Sequence, residues 1–344
     1  MFRDAPDSYK SNPFLDAVSK PGAISQFFYE GTCQKLDALF YKGWTEKVAD
    51  KLNLSKGLFL SCFLADLDAA IYSAQKFKCF DNILRKLADI QDFLPTVFEV
   101  EMAEYLLHIF KNNLTEIEFA GCFTTKAGKK IDLRAKIDGE WVYFEMTKVM
   151  NYEGCSDVLR LYNLTSAFLV GAQMTTGKSL GLQLKFPAIP NQDTIDSVID
   201  CVTRVLSKEL FSFEGKAKDA LVLLKESEGQ PKLELQINSS LEGKKLKDKY
   251  FEELEHFENG DINVIAIDTT YLPTEPKNLL SLTEKIFDTE GDLSIIAAVI
   301  LTCKVHFLKP NGFPLQTGAA NIVKFNKKCD KAEFLRKAMN FKQK

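Results

Sequence analysis

Residues 129–148, KKIDLRAKIDGEWVYFEMTK, constrain the fold more than any other stretch of this chain. Two alternating apolar and polar runs meet at Asp138-Gly139. Asp-Gly between such runs is a strong hairpin signal, because both central residues of a type I′ turn need φ > 0. With that two-residue loop the ladder is fixed. Ile137 faces Glu140, Lys136 faces Trp141, Arg134 faces Tyr143, Asp132 faces Glu145 and Lys130 faces Thr147. Ile131, Leu133, Ala135 and Ile137 share the opposite, core-seeking face with Val142, Phe144 and Met146. The pairing sets two carboxylates across from each other with Cβ atoms about 5 Å apart, an unfavourable arrangement unless a cation lies near. Lys130 and Arg134 on a solvated face would supply one. So would a divalent ion, and an all-oxygen ligand set suits Mg²⁺.

The chain preceding the hairpin adds a third acid. Residues 1–20 read as irregular, and from about residue 23 to 93 the pattern is helical, with breaks at Gly43, Gly57 and Lys76–Lys78. A second helix then carries Phe98, Met102, Tyr105, Leu106, Ile109 and Phe110 on one apolar arc. Glu99 falls inside that arc. A carboxylate on a buried helix face needs a partner, although first-turn placement beside the helix dipole is the plainer reason for an acid there.

Further on, residues 156–174 have helical spacing, and LGLQLKF alternates as a strand. Residues 191–210 read as a helix, and ALVLL and KLELQIN as a hairpin around KESEGQP. A charged helix at 244–258 comes next. INVIAIDTT and SIIAAVILTC read as buried strands with a helix near 277–287 between them. The expected fold class is α/β, a mixed sheet flanked by helices, with an N-terminal helical subdomain. The expected divisions are a helical region at 1–94, an α/β core at 95–190, and an α/β extension at 191–344.

The element order helix, strand, strand, strand, helix, strand, with Glu99 on the helix, Asp132 in KID and Glu145 in FEMTK, resembles the PD-(D/E)XK nuclease superfamily. The resemblance covers roughly residues 95–187. It implies a restriction-endonuclease-like core and a Mg²⁺-dependent nuclease, acting on DNA more than RNA. Asp132, Glu145 and Glu99 would hold the metal, which would lower the pKa of water and offset charge on the scissile phosphate. The family's lysine two residues after the glutamate is replaced by Thr147. Lys130, across the ladder, is the better substitute. Lys148 is adjacent, but a regular strand points it to the opposite face. Phosphate contacts would come from Lys126, Arg134, Lys136 and the basic run from Lys324 to Lys344, with Trp141 and Tyr143 stacking on a base or covering the hairpin. A nuclease-like module that binds nucleic acid without cleaving it, as one arm of a defence or repair complex, is the second reading; a homodimer or a partner subunit is open to either.

A third reading is a P-loop NTPase. AQMTTGKS at 172–179 fits a relaxed phosphate loop, with Lys178 on phosphate, Ser179 on Mg²⁺ and Asp268 on a second strand. A P-loop must follow a strand, and helical spacing before residue 172 argues against it.

Composition excludes little. A net charge of −3 rules out bulk attraction to nucleic acid, not a local basic surface. The eight cysteines show no C-x-x-C and no paired rhythm. No zinc ribbon or disulfide framework is expected, and a reducing, cytoplasmic setting fits. No secretory leader and no membrane span are expected. His108, His256 and His306 show no ligand spacing and read as ordinary core or surface histidines.

Overall fold

The computed structural model describes residues 23–52, 58–125, 128–148, 155–188, 190–229, 231–237, 241–269, 276–307 and 316–339. The Asp-Gly turn forms as the sequence demands, with Asp138 at φ 49° and Gly139 at φ 86°. It joins β2 (Leu133–Ile137) to β3 (Glu140–Lys148), with Ile137 across from Glu140 and Leu133 across from Phe144. β1 (Leu114–Phe119) pairs antiparallel with the outer side of β2.

Four helices precede this sheet: α1 (Ala23–Leu39), α2 (Trp44–Lys51), α3 (Leu58–Ala74) and α4 (Phe80–Ala88). A fifth, α5 (Phe93–Ile109), leads into β1. Gly43, at φ 83°, makes the break ahead of α2, where buried Trp44 donates its indole N–H to the Leu87 carbonyl at 3.0 Å. These helices do not form a subdomain with a core of their own. Leu36, Trp44, Leu64, Leu87 and Phe98 share one core with Leu133, Ala135, Val142 and Phe144 of the sheet.

After β3 the chain leaves the first sheet and builds a second. α6 (Cys155–Thr176), β4 (Leu180–Phe186), α7 (Gln192–Ser207), β5 (Phe213–Ala217), β6 (Ala220–Glu226) and β7 (Lys232–Ile237) follow in order. The four strands lie in the order β5-β6-β4-β7. Leu164, Phe168, Leu182, Leu184, Ile195, Val198 and Val222 form a separate core beneath α6 and α7. Two expectations fail here. LGLQLKF joins this second sheet, not the hairpin's, so a boundary at 190 cuts through a folded unit. The ALVLL and KLELQIN strands are not a hairpin, because β4 lies between them, antiparallel to one and parallel to the other. The true hairpin is β5–β6, turning at Lys218 with φ 51°.

The chain returns through α8 (Leu241–Leu254) to β8 (Ile262–Asp268), which pairs parallel with β3. α9 (Pro276–Thr289) and a 3₁₀ turn (Gly291–Ile295) lead to β9 (Ile296–Phe307), then β10 (Gln316–Phe325) and α10 (Ala332–Ala338). The first sheet is thus mixed, in the order β1-β2-β3-β8-β9-β10. β8 is buried at every position, in keeping with its apolar run at 264–267. Val264, Ala266 and Ile300 face the N-terminal helices. Ile265, Ile267 and Val299 face Leu246 and Tyr250 of α8 and Leu279 and Phe287 of α9. The result is a three-layer α/β/α arrangement.

One cross-link runs against the sequence reading. Cys79, at the head of α4, is disulfide-bonded to Cys122 just past β1. A separation of 43 residues leaves no local rhythm to notice. Closing a loop of that size stabilises a fold by about 2–4 kcal/mol. Reduction with dithiothreitol should therefore lower the urea midpoint, and Cys79→Ser should lose that sensitivity. Among the described residues no helix is long and apolar enough to cross a membrane.

Candidate metal centre

The ladder between β2 and β3 ends one pair short of Asp132 and Glu145. The two acids still come together, through side-chain bonds to the facing backbone instead of a continued ladder. The Asp132 backbone N–H donates to Glu145 Oε2 at 3.1 Å, and the Met146 N–H donates to Asp132 Oδ2 at 2.9 Å. The Asp132 carbonyl accepts from the Ala120 N–H at 2.8 Å. Alternation breaks at this point. Ile131, expected beside Leu133, packs in the opposite core with Ile265 and Tyr250. Each acid thus satisfies a backbone donor that the splayed strands leave open.

Glu145 lies across from Ile265 of β8, on the face that looks toward α8, and is 3% exposed. The end of α8 brings two more ligating groups there. Glu253 is buried on its last turn, and His256 follows just beyond. His256 Nδ1 hydrogen-bonds Glu145 Oε1 and lies 3.5 Å from Glu253 Oε2. One ligand atom from each of Glu145, Glu253 and His256 falls within 4.8 Å of the others. Thr147, across from Ile267 on the same face, stands beside Glu253 and favours its charged form. Lys129 donates from Nζ to the Glu255 carbonyl and, at 3.0 Å, to that of Phe257, which fastens the His256 loop to the segment ahead of β2.

The electrostatics follow from crowding. Burial and then the charge of Asp132 push the Glu145 carboxyl far above the usual carboxylate range. Burial also raises Glu253. Glu99 stands on α5, in the opposite layer, where burial and then Asp132 raise it to about 7. It is buried, as its place in the apolar arc requires, and its partner is Lys86 of α4, whose Nζ lies 3.0 and 3.1 Å from its two carboxylate oxygens. Asp132 therefore links the two layers, acting on Glu99 from one side and on Glu145 from the other.

Comparison with protein-family models, curated proteins and solved structures finds no match.

The remaining predicted residues are placed as follows. Lys130 is exposed and precedes β2, so the ladder does not set it across from Thr147. Lys148 pairs with its register partner Asp268 at 3.0 Å, on the face away from Glu145. Arg134 is held by Glu118 at 2.6 Å and stacks over Phe123 and Trp141. Lys136 also lies over Trp141, at 5.7 Å, so Trp141 covers the hairpin instead of offering a bare ring. Lys126 lies outside the described residues, as do Lys342 and Lys344. In the C-terminal run Lys324 and Lys327 pair with Glu284, and Arg336 and Lys337 with Glu333. Two acids thus meet four cations of that run.

The phosphate-loop motif has the wrong context. Residues 167–170 are helical within α6, Gly177 turns the chain at φ 72°, and Lys178 pairs with Glu226. Asp268, the supposed magnesium aspartate, is the partner of Lys148.

Glu253 and His256 were not among the expected site residues. Their signal is Glu-x-x-His at i, i+3, a spacing that puts both side chains on one helical face and recurs among metal-binding helices. It is visible in ELEHF, inside the helix expected at 244–258.

Proposed function

We infer that the protein is a divalent-metal-dependent hydrolase of phosphodiester bonds in nucleic acid, DNA more than RNA, built on a restriction-endonuclease-like core. The observation that carries this reading is the meeting of Asp132 and Glu145 at the splayed end of β2 and β3, with Glu253 and His256 closing on Glu145. Glu145, raised by burial and then by the charge of Asp132, needs a cation to be ionised beside that acid, and the Glu145, Glu253 and His256 donor set fits one.

The wiring supports the same reading. Helix, strand, strand, strand, helix, strand is followed by α5-β1-β2-β3-α8-β8, with the α6–β7 unit inserted before the second helix. The sixth element is β8, not β4. In this arrangement Glu145 and Glu253 would hold the ion, with Asp132 beside Glu145, and the ion when bound supplies a Lewis acid that lowers the pKa of water and offsets charge on phosphoryl oxygens. Glu99 holds or releases a proton at its carboxyl near neutrality. Lys86 brings the ammonium that accompanies Glu99, a role that neither Lys130 nor Lys148 is placed to fill.

The test is cleavage of single- and double-stranded DNA and of RNA with Mg²⁺ or Mn²⁺, against the same reactions in EDTA. The expected result is metal-dependent cleavage. The second reading, a nuclease-like module that binds without cutting, is favoured by Thr147, whose side chain is engaged with Glu253 where the family carries lysine. Metal-independent binding to nucleic acid without cleavage would select it.

A further inference from the structure

The expectation of Mg²⁺ rests on oxygen ligands alone, from the hairpin and α5. The geometry at the end of α8 changes the donor set. His256 carries an imidazole nitrogen to the Glu145 carboxylate, and Glu253 supplies a second carboxylate from one turn earlier in the same segment. Mg²⁺ takes oxygen and keeps most of its water, whereas imidazole with carboxylates suits Mn²⁺, Fe²⁺, Co²⁺ or Zn²⁺. Three protein ligands also leave open positions for water and substrate, as catalytic centres require.

We propose that Glu145, Glu253 and His256 form a mixed nitrogen–oxygen centre that takes a first-row transition ion in preference to Mg²⁺, with Thr147 and Lys129 as its positioning residues. This rests on the hydrolase reading for its purpose, not for its existence. The supporting contacts are those that outer residues make around metal ligands. Thr147 stands beside the Glu253 carboxylate and favours its charged form, and Lys129 gathers the carbonyls on either side of His256. Thr147 thereby gains a reason to stand where the family carries lysine. An ammonium two residues after Glu145, on the same strand face, would meet Glu253 and compete with the ion for it. A hydroxyl orients that carboxylate and leaves its charge for the metal.

The probe is Mn²⁺ added to the full chain stripped of metal with EDTA. Calorimetry should show Mn²⁺ binding at least about tenfold tighter than Mg²⁺, in keeping with the donor preference. Electron spin-echo modulation of the bound Mn²⁺ should show nitrogen coupling from a coordinated imidazole. His256→Ala should abolish that coupling and weaken Mn²⁺ at least about tenfold more than Mg²⁺. The His256 side chain is 45% exposed, so the variant should fold, and circular dichroism checks that it does. Thr147→Val should weaken Mn²⁺ by about 10–100-fold while keeping the nitrogen coupling.

Bound Mn²⁺ without nitrogen coupling, coupling that survives His256→Ala in a folded variant, or equal affinity for Mg²⁺ and Mn²⁺ would overturn the proposal. Its failure is distinguishable from that of the hydrolase reading. A nitrogen-coupled Mn²⁺ centre in a protein that cuts nothing keeps the centre and removes the activity. Mg²⁺-supported cleavage with no nitrogen coupling does the reverse.

Discussion

Glu145→Gln should reduce metal-dependent cleavage by about 10³-fold or more and, in the same protein without metal, raise the melting temperature. In the proposed hydrolase the first effect follows from losing an anionic ligand at a centre whose ion would be worth several kcal/mol to the reaction. The second follows from the site's electrostatics. Folding buries Glu145 beside Asp132 and Glu253, so the folded chain must take up a proton that an unfolded glutamate has released. An amide removes that requirement and can still accept the Asp132 N–H through its oxygen. The pH dependence has a definite sign. Glu99 keeps its proton to about 7 when folded, against 4.5 as the ordinary value. The folded state therefore binds more protons between those values, and stability falls as pH rises across the window. The raised Glu145 extends that fall to higher pH. Metal-free protein melted at pH 5, 6, 7 and 8 should lose stability at each step, with a shallower slope for the glutamine variant. Glu145→Gln protein that still cleaves at the wild-type rate would remove the hydrolase assignment.

Lys148→Met should destabilise the fold by about 3–5 kcal/mol, the range for taking one partner from a buried ion pair. Lys148 and Asp268 face each other on β3 and β8, their side chains 9% and 1% exposed. The methionine would withdraw the ammonium from a carboxylate in the middle of the sheet. Lys148→Met with Asp268→Leu should recover most of the loss, because an apolar pair of similar volume replaces the ionic one. Urea unfolding of the two single variants and the double variant measures this. The set also separates structure from chemistry. A catalytic lysine would show lost cleavage without lost stability, and the double variant would not restore it.

The hairpin was legible almost completely, since Asp138-Gly139 leaves the ladder one register. Its last pairs were not, because alternation assumes a strand that continues. Beyond Leu133 the chain turns into the centre, carrying Ile131 to the other core and Lys130 into solvent. Glu99 could be read as buried because helical periodicity survives in isolation. Its partner could not, because Lys86 comes from a different helix. The same limit hid Glu253 and His256, which reach Glu145 through tertiary packing across an inserted unit. The buried runs of β8 and β9 announced themselves as strands, while the neighbours of β4 did not. LGLQLKF alternates equally well in either sheet, and nothing local says which edge it joins. Cys79 and Cys122 are likewise partners in space, not in rhythm.

The insertion of residues 155–237 between β3 and α8 has a consequence for biosynthesis. Domains fold as they emerge from the ribosome, N-terminal parts first. Asp132 and Glu145 leave the exit tunnel together, but Glu253 and His256 follow only after an entire second sheet has been translated. A nascent chain therefore carries a half-built centre for several seconds, at the usual translation speed of roughly 5–20 residues per second. An ion held there would be captured among the last events of maturation, and occupancy of the centre would time completed synthesis.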